Sequence, residues 1–366
     1  VRILHLLNHT RRLNGHVHVA IDLACAQAEM GHEVAVASEG GDFDRLLAEF
    51  GVATYRVGHQ RSIVGVARGL GALWPLLRRF RPDVVHAHMM TSAVLAFPLC
   101  AFGRTRLVTT VHNEFEKSAI LMGLGRRVIA VSAAVARSMQ ARGIAGSRID
   151  VVLNGTIGAA RLRGQDRTPR PLTTPAIVFV GGLHPRKGLD DLFAAFALVH
   201  ARNPAARLYV VGDGPTRPDY VAAVARSPCA EAVSFEGGQD NPYPWMAGAD
   251  IFVLPSHADP APLVLSEARE AGCAIVATRV DGIPELLEHG RAGLLVPPRD
   301  PAALAEALLS LIEAPETLRL WRERSQVGIE RMRIERVARE TLAVYAAARG
   351  EQAPRATPVP AEPGRC

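Results

Sequence analysis

Short β-rich apolar runs alternate with helix-like stretches along almost the whole chain, and the series runs twice. Runs at residues 2–7, 33–37, 83–87, 107–111 and 127–131 are largely apolar, as strands covered on both faces of a parallel sheet must be. A helical pattern at 17–29 ends at Gly31, where a glycine relieves the left-handed turn that closes a helix. After Asn154-Gly155 the pattern breaks into 161–175, rich in Arg, Thr and Pro, which reads as a linker. It then restarts with strand-like runs at 176–180, 207–211, 232–235, 251–254, 274–277 and 293–296, separated by helical stretches at 190–201, 264–271 and 302–313. Residues 318–348 carry long helical patterns, and 350–366 is Pro- and Ala-rich and reads as a disordered tail. The expectation is an α/β protein of two doubly wound domains, 1–160 and 176–333, facing each other across a cleft.

The 366 residues suit two domains, and 48% apolar against 21% charged residues allows packed cores. Aromatics, at 5%, are too few for the stacking platforms of single-strand nucleic-acid binders. The net charge of +6 comes from scattered residues with no basic stripe, so no nucleic-acid partner is expected. The best apolar run, 89–102, is short and broken by Pro98, which argues against a membrane-spanning helix. The first seven residues read as a strand and not as an export signal. The five cysteines, Cys25, Cys100, Cys229, Cys273 and Cys366, show no paired spacing. A cytoplasmic protein is expected. The stretch 61–81, with Arg68, Trp74, Arg78 and Arg79, reads either as a core helix or as an amphipathic helix touching an anionic membrane at its inner face.

Ligands of doubly wound sheets lie beyond the carboxyl ends of the strands, so the residues just after each strand carry the chemistry. After the run 176–180 comes Gly181-Gly182-Leu183-His184-Pro185-Arg186-Lys187-Gly188. Glycines permit a tight turn, and Arg186 and Lys187 put two positive charges where a helix begins, a geometry suited to a diphosphate. Of the 42 basic residues only Lys117 and Lys187 are lysine, so a compact point charge at 187 is notable. After 251–254 stands Asp259, and eight residues later Glu267, read as lying in the first turn of the next helix. The two carboxylates can grip separate hydroxyl pairs of one polar ligand, although a first-turn Glu is also a common dipole-stabilising residue. Asn14-Gly15 precedes the first helix and can approach a phosphate. His86, His88 and His112 follow strands and read either as cleft contacts or as buried structural histidines. His-x-His lacks a third metal ligand in sequence, and no metal site is expected. Asp42-Phe43-Asp44 has the Asp-x-Asp form of metal-dependent sugar transferases, but its place before the helical stretch 45–50 favours a helix cap.

In order and spacing these segments resemble the retaining glycosyltransferases of family 4, over nearly all of residues 1–348. The matching pieces include Leu-Ala-x5-Met-Gly-His-Glu-Val, Asp-Val-Val-His-Ala-His, Val-Leu-Asn-Gly, Phe-Val-Gly-Gly-Leu-x3-Lys-Gly, Gly-Asp-Gly-Pro and Gly-Ile-Pro-Glu-Leu. The resemblance implies the GT-B fold, two Rossmann-like domains, the first on the acceptor side and the second binding a nucleotide-sugar donor. The final helices, about 334–348, would cross back onto the first domain. Gly15 would approach the donor diphosphate, with Arg186, Lys187 and the helix start at Leu263 neutralising it. Glu267 would hold the nucleotide ribose. Asp259 and His112, the catalytic residues by this resemblance, would meet the transferred sugar. No metal or other cofactor is implied.

The chain departs from the family where Gly182 replaces an Arg, Asp259 a Glu, Asn14 a Gly, and Pro260-Ala261-Pro262 a Gly-rich stretch. The resulting expectation is transfer of a hexosyl unit from a nucleotide-diphosphate sugar to an acceptor hydroxyl with retained configuration. The alternatives are a nucleotide-sugar epimerase on the same scaffold, a sugar-binding protein, and a degenerate transferase that binds donor without turnover.

Overall fold

The computed structural model describes residues 1–12, 14–58, 63–101 and 103–351. The tail reading falls outside the described residues from 352 onward, as does Cys366. Seven strands form the first sheet: β1 (Arg2–Leu6), β2 (Glu33–Ser38), β3 (Ala53–Arg56), β4 (Val84–Ala87), β5 (Arg106–Val111), β6 (Arg127–Ala130) and β7 (Ile149–Val151). Their order is β3-β2-β1-β4-β5-β6-β7, all parallel. The second sheet holds β8 (Ala176–Val180), β9 (Arg207–Val211), β10 (Val233–Gly237), β11 (Ile251–Leu254), β12 (Ala274–Thr278) and β13 (Leu294–Val296). Its order is β10-β9-β8-β11-β12-β13, again all parallel. The winding direction therefore reverses at β1 in one sheet and at β8 in the other. A reversal splays the neighbouring loops apart and opens a crevice at the carboxyl edge.

All six strands expected in the second half are formed. In the first half β3 and β7 were not anticipated. Both are edge strands, and β3 leaves Ala53, Thr54 and Arg56 exposed, so neither carries the apolar run that a buried strand prints into a sequence.

Side chains from both faces of the first sheet make two cores. Under one face Leu73, Leu76 and Leu77 of the helix Ile63–Phe80 pack with Ala93, Leu95 and Ala96 of the helix Met90–Cys100. That first helix runs through Pro75 and keeps Val64, Val66, Trp74, Arg68, Arg78 and Arg79 on its outer side. Under the other face the first helix, Gly15–Glu29, packs against the last, Ile334–Arg349. That last helix returns from the second lobe, and a parallel bridge between Ile157 and Arg333 guides it. Gly155 is needed at the crossover, because a Cβ there would lie 2.4 Å from the Met332 carbonyl oxygen. The described cysteines are all buried free thiols. Among the described residues no helix is long and apolar enough to cross a membrane.

The segment read as a linker is docked along its length. Arg161 and Arg163 pair with Asp22 and Glu29 of the first helix, whereas Arg167 and Arg170 lie over Tyr243 and Trp245 of the second lobe. Tyr345 of the last helix is fully buried, and its hydroxyl meets His86 Nδ1 at 2.6 Å. Tyr345→Ala is expected to destabilise the first lobe by about 3–5 kcal/mol, the cost of a large buried ring, read as a lower urea midpoint.

Candidate functional site

The turn after β8 rises through a 3-10 turn, Pro185–Lys187, into the helix Leu189–Arg202. Gly188 joins them at φ 69°, and a Cβ there would stand 2.0 Å from the Pro255 carbonyl oxygen, so only glycine brings this turn against the loop after β11. The contact places Lys187 beside Asp259. Lys187 Nζ donates to Asp259 Oδ2 at 2.5 Å, and Ser256 Oγ donates to the same oxygen at 3.2 Å. The Asp259 backbone N–H is held by Asp281 at 2.6 Å. Both partners are buried, yet both line a cleft of about 510 Å³ between the lobes. Arg186 reaches the Ala258 carbonyl at 3.2 Å, and its guanidinium lies over Phe115 of the opposite lobe.

Two helices start on opposite walls of this cleft. The helix Gly15–Glu29 begins at Gly15 and the helix Leu263–Glu270 begins at Leu263. Their preceding residues, Asn14 and Pro262, give no side-chain cap. The first backbone N–H groups of both therefore stay available to an anion, and the two helix dipoles add to the Lys187 charge. A Cβ on Gly15 would lie 3.9 Å from Leu263 Cδ1, so the two starts are near neighbours.

Glu267 stands in the second turn of its helix and not the first, so the dipole reading of this residue is set aside. Its carboxylate is held by an interlobe arrangement that sequence reasoning missed. Arg161 Nη2 donates to Glu267 Oε1 at 2.8 Å while its Nε donates to Asp22 Oδ2 at 2.8 Å. A signal existed: Asp22 interrupts an apolar stretch, Ala20-Ile21-Asp22-Leu23-Ala24, on a face that the structure buries. Nothing local marks Arg161 as its partner.

Asp42 and Asp44 lie away from this centre. Asp42 accepts the Arg12 backbone N–H, and Asp44 pairs with Arg56 at 2.6 Å. Asp44 is the first residue of the helix Asp44–Glu49, which follows Phe43, so neither aspartate is its side-chain cap.

His112, Asp259, Gly15, Arg186, Lys187, Leu263 and Glu267 all line the one cleft, together with His16, His18, Asn154 and Arg161. His86 and His88 are fully buried behind it, and His5 of β1, which the sequence did not single out, joins them. Burial keeps these rings neutral. It lowers His5, His16 and His18 to about 4, His112 to about 3, and His86 and His88 well below the ordinary range.

The lobe topology and this cleft define a scaffold of two doubly wound lobes that share one ligand cleft, and known proteins share it. The HepE structure of Anabaena in complex with UDP superposes with a TM-score of 0.79 at 21% identity, covering 95% of this chain and 100% of that one. WaaG, a glycosyltransferase involved in lipopolysaccharide biosynthesis, superposes at 0.70 with 16% identity, covering 94% and 99%. The glycogen synthase of Mycobacterium tuberculosis is 33% identical over 304 residues, spanning 76% of this chain and 72% of its own. The D-inositol 3-phosphate glycosyltransferase of Nocardioides is 30% identical over 232 residues, spanning 56% and 50%. The description Glycosyltransferase Family 4 matches residues 13–156, and Glycosyl transferases group 1 matches 174–314. The chain belongs to the family 4, or group 1, glycosyltransferases, with the GT-B fold.

The neutral histidines fix an acid response. Their folded-state affinities for protons lie below the unfolded value of 6.5, so the stability they allow is complete above that pH and is lost as pH falls toward 4. Asp22, raised by burial to about 6, acts in the opposite sense and offsets part of this. Unfolding near pH 5 is expected to take up about four protons, read from the slope of stability against pH. A flat profile between pH 5 and 6.5 would contradict this account.

Proposed function

We propose that the protein is a retaining hexosyltransferase that moves a sugar from a nucleotide-diphosphate donor to an acceptor hydroxyl. The observation that carries the reading is the convergence, in one interlobe cleft, of Lys187, Arg186 and two uncapped helix starts at Gly15 and Leu263. This concentration of positive charge and free N–H groups matches what a departing diphosphate requires. Glu267, steadied by Arg161 through one oxygen, keeps its other oxygen for the ribose hydroxyls. Asp259 changes partner: a phosphate between it and Lys187 takes over the lysine, and the freed carboxylate accepts hydroxyls of the transferred sugar. His112, held neutral, faces the sugar and the acceptor.

The departing phosphate oxygen takes the acceptor proton as the acceptor attacks from the same face. In this scheme the glycosidic bond to the nucleotide breaks, the new one forms on that face, and no enzyme-bound sugar intermediate is needed. Lys187 and Arg186 supply the charge that a metal ion supplies in other transferases, so the donor binds without one. UDP, present in the related HepE structure, is the first nucleotide to try. The first lobe takes the acceptor. The outer side of the helix Ile63–Phe80, with Trp74 and three arginines exposed, suits a peripheral contact with an anionic membrane at its cytoplasmic face.

The test is a thermal shift with UDP and other diphosphate nucleotides in chelator, followed by transfer and NMR of the product anomer. Metal-free stabilisation and a retained anomer support the reading. An inverted anomer or a trapped covalent adduct on Asp259 or Glu267 would overturn the mechanism, and donor turnover with no acceptor favours the epimerase. Lys187→Ala is expected to weaken diphosphate binding about 30- to 100-fold. Gly182 has open space around it, the nearest atom to a built Cβ being the Asp213 carbonyl oxygen at 3.9 Å. Gly182→Arg is therefore expected to fold normally and tighten diphosphate binding about 3- to 10-fold by titration calorimetry.

A further inference from the structure

His5, His86 and His88 stand close enough to suggest a metal centre, with one nitrogen from each within 4.8 Å of the others. Their hydrogen bonds point elsewhere. Each of the six ring nitrogens already has a partner. His86 meets Tyr345 and Thr110, both at 2.6 Å. His5 Nε2 meets Gln27 Oε1 at 2.8 Å, and His5 Nδ1 meets His88 Nε2 at 2.9 Å. His88 Nδ1 then meets His112 Nε2 at 3.1 Å. The result is an unbroken line from a buried amide on the first helix, through three imidazoles, to the cleft.

A line of neutral imidazoles has a direction, because each ring carries one N–H and one lone pair. The Gln27 oxygen can only accept, so His5 carries its proton on Nε2 and offers a lone pair at Nδ1. His88 must then donate from Nε2 and accept at Nδ1, and His112 donates from Nε2. The same amide orientation sets the other side of Gln27. Its Nε2 faces the Tyr345 hydroxyl at 3.4 Å, which leaves that hydroxyl to donate to His86 Nδ1. Burial keeps all four rings uncharged, so no ring breaks the sequence by donating from both nitrogens. The last nitrogen, His112 Nδ1, has no hydrogen-bond partner among the described residues, is not sealed from solvent, and belongs to a ring lining the cleft.

We propose that His5, His88 and Gln27 are positioning residues that lock His112 as the Nε2–H tautomer, so that its Nδ1 presents a lone pair and accepts a hydrogen bond from a sugar hydroxyl in the cleft. His112 thus selects a hydroxyl donor at that place and rejects a sugar bearing an acceptor or no polar group there. The proposal rests on the reading of His112 as a sugar-facing residue.

Side-chain 1H–15N correlation spectra of the intact protein at neutral pH test the lock directly, with the His112 signal assigned by its loss in His112→Asn. In the wild type His112 is expected to hold its proton on Nε2 alone. Gln27→Leu and, independently, His88→Phe are expected to give a mixture of tautomers at His112. Both should lower kcat/KM for transfer about tenfold while leaving the dissociation constant of the diphosphate nucleotide unchanged. A purely structural role would not move the tautomer.

An Nδ1–H wild type, or a pure Nε2–H ring in both variants, would overturn the proposal. So would a tautomer mixture with unchanged kcat/KM. One equivalent of zinc should leave the spectrum as it was, and joint displacement of the His5, His86 and His88 signals would assign the cluster to metal instead. If His112→Asn transfers sugar at the full rate while the wild-type ring is locked, the sugar-facing reading of His112 is what fails, and with it the selective role. The lock itself would stand.

Discussion

The guanidinium of Arg161 joins three parts of the molecule that have no other reason to share a charge. It lies at the crossover between the lobes, donates to Asp22 on the first helix, and donates to Glu267 on the helix that lines the far wall of the cleft. All three groups are nearly out of water, where burying a charge is expensive unless it is paired. Such a network adds little net stability over an apolar seam, but removing one member leaves the others uncompensated at a cost of about 3–5 kcal/mol. Its contribution is therefore to position. The lobes meet where this cation reaches both acids, beside the cleft that Arg161 and Glu267 also line. Glu285 of the second lobe reinforces it by accepting the backbone N–H groups of Ala133 and Ala134 at the start of a first-lobe helix.

Within the cleft the two walls are chemically unlike. The second-lobe wall is charged and paired, Lys187 with Asp259 inside the lobe and Glu267 with Arg161 of the crossover, so a ligand there exchanges partners and does not meet bare charges. The first-lobe wall is polar but neutral, built from histidines whose charge burial suppresses. A diphosphate is drawn to the first kind of surface, with the helix start at Gly15 facing it from the other wall. Hydroxyl groups can meet both, the carboxylates of the first kind and the neutral imidazoles of the second, where hydrogen-bond direction discriminates more sharply than charge.

Much of this was legible in the chain, and the exceptions have physical causes. Buried parallel strands print continuous apolar runs, so the central strands of both sheets could be read directly. The edge strands β3 and β7 could not, since one flank of each faces solvent or loop and the apolar signal is lost. The residues lining the cleft were accessible because they follow strands, where ligands of doubly wound sheets bind. Glu267 was placed one position too early, because the helical stretch was read from 264 whereas the helix begins at Leu263, which moves Glu267 just beyond the first turn. Asp42 and Asp44, adjacent in sequence to a helix start, bond with Arg12 and Arg56 instead of capping it.

The sequence by itself determined the double series of strands and helices, the glycines at tight turns, and the placing of charge just after strands. These follow from local rules, namely periodicity, backbone freedom and the reach of neighbouring side chains. Tertiary structure alone decided which charges are paired and which nitrogens carry protons. Arg161 and Glu267 are more than a hundred residues apart, and His5, His88 and His112 come from three strands or the turns after them. The protonation of a buried group depends on every neighbour packed around it, and those neighbours are assembled only when the sheet is wound.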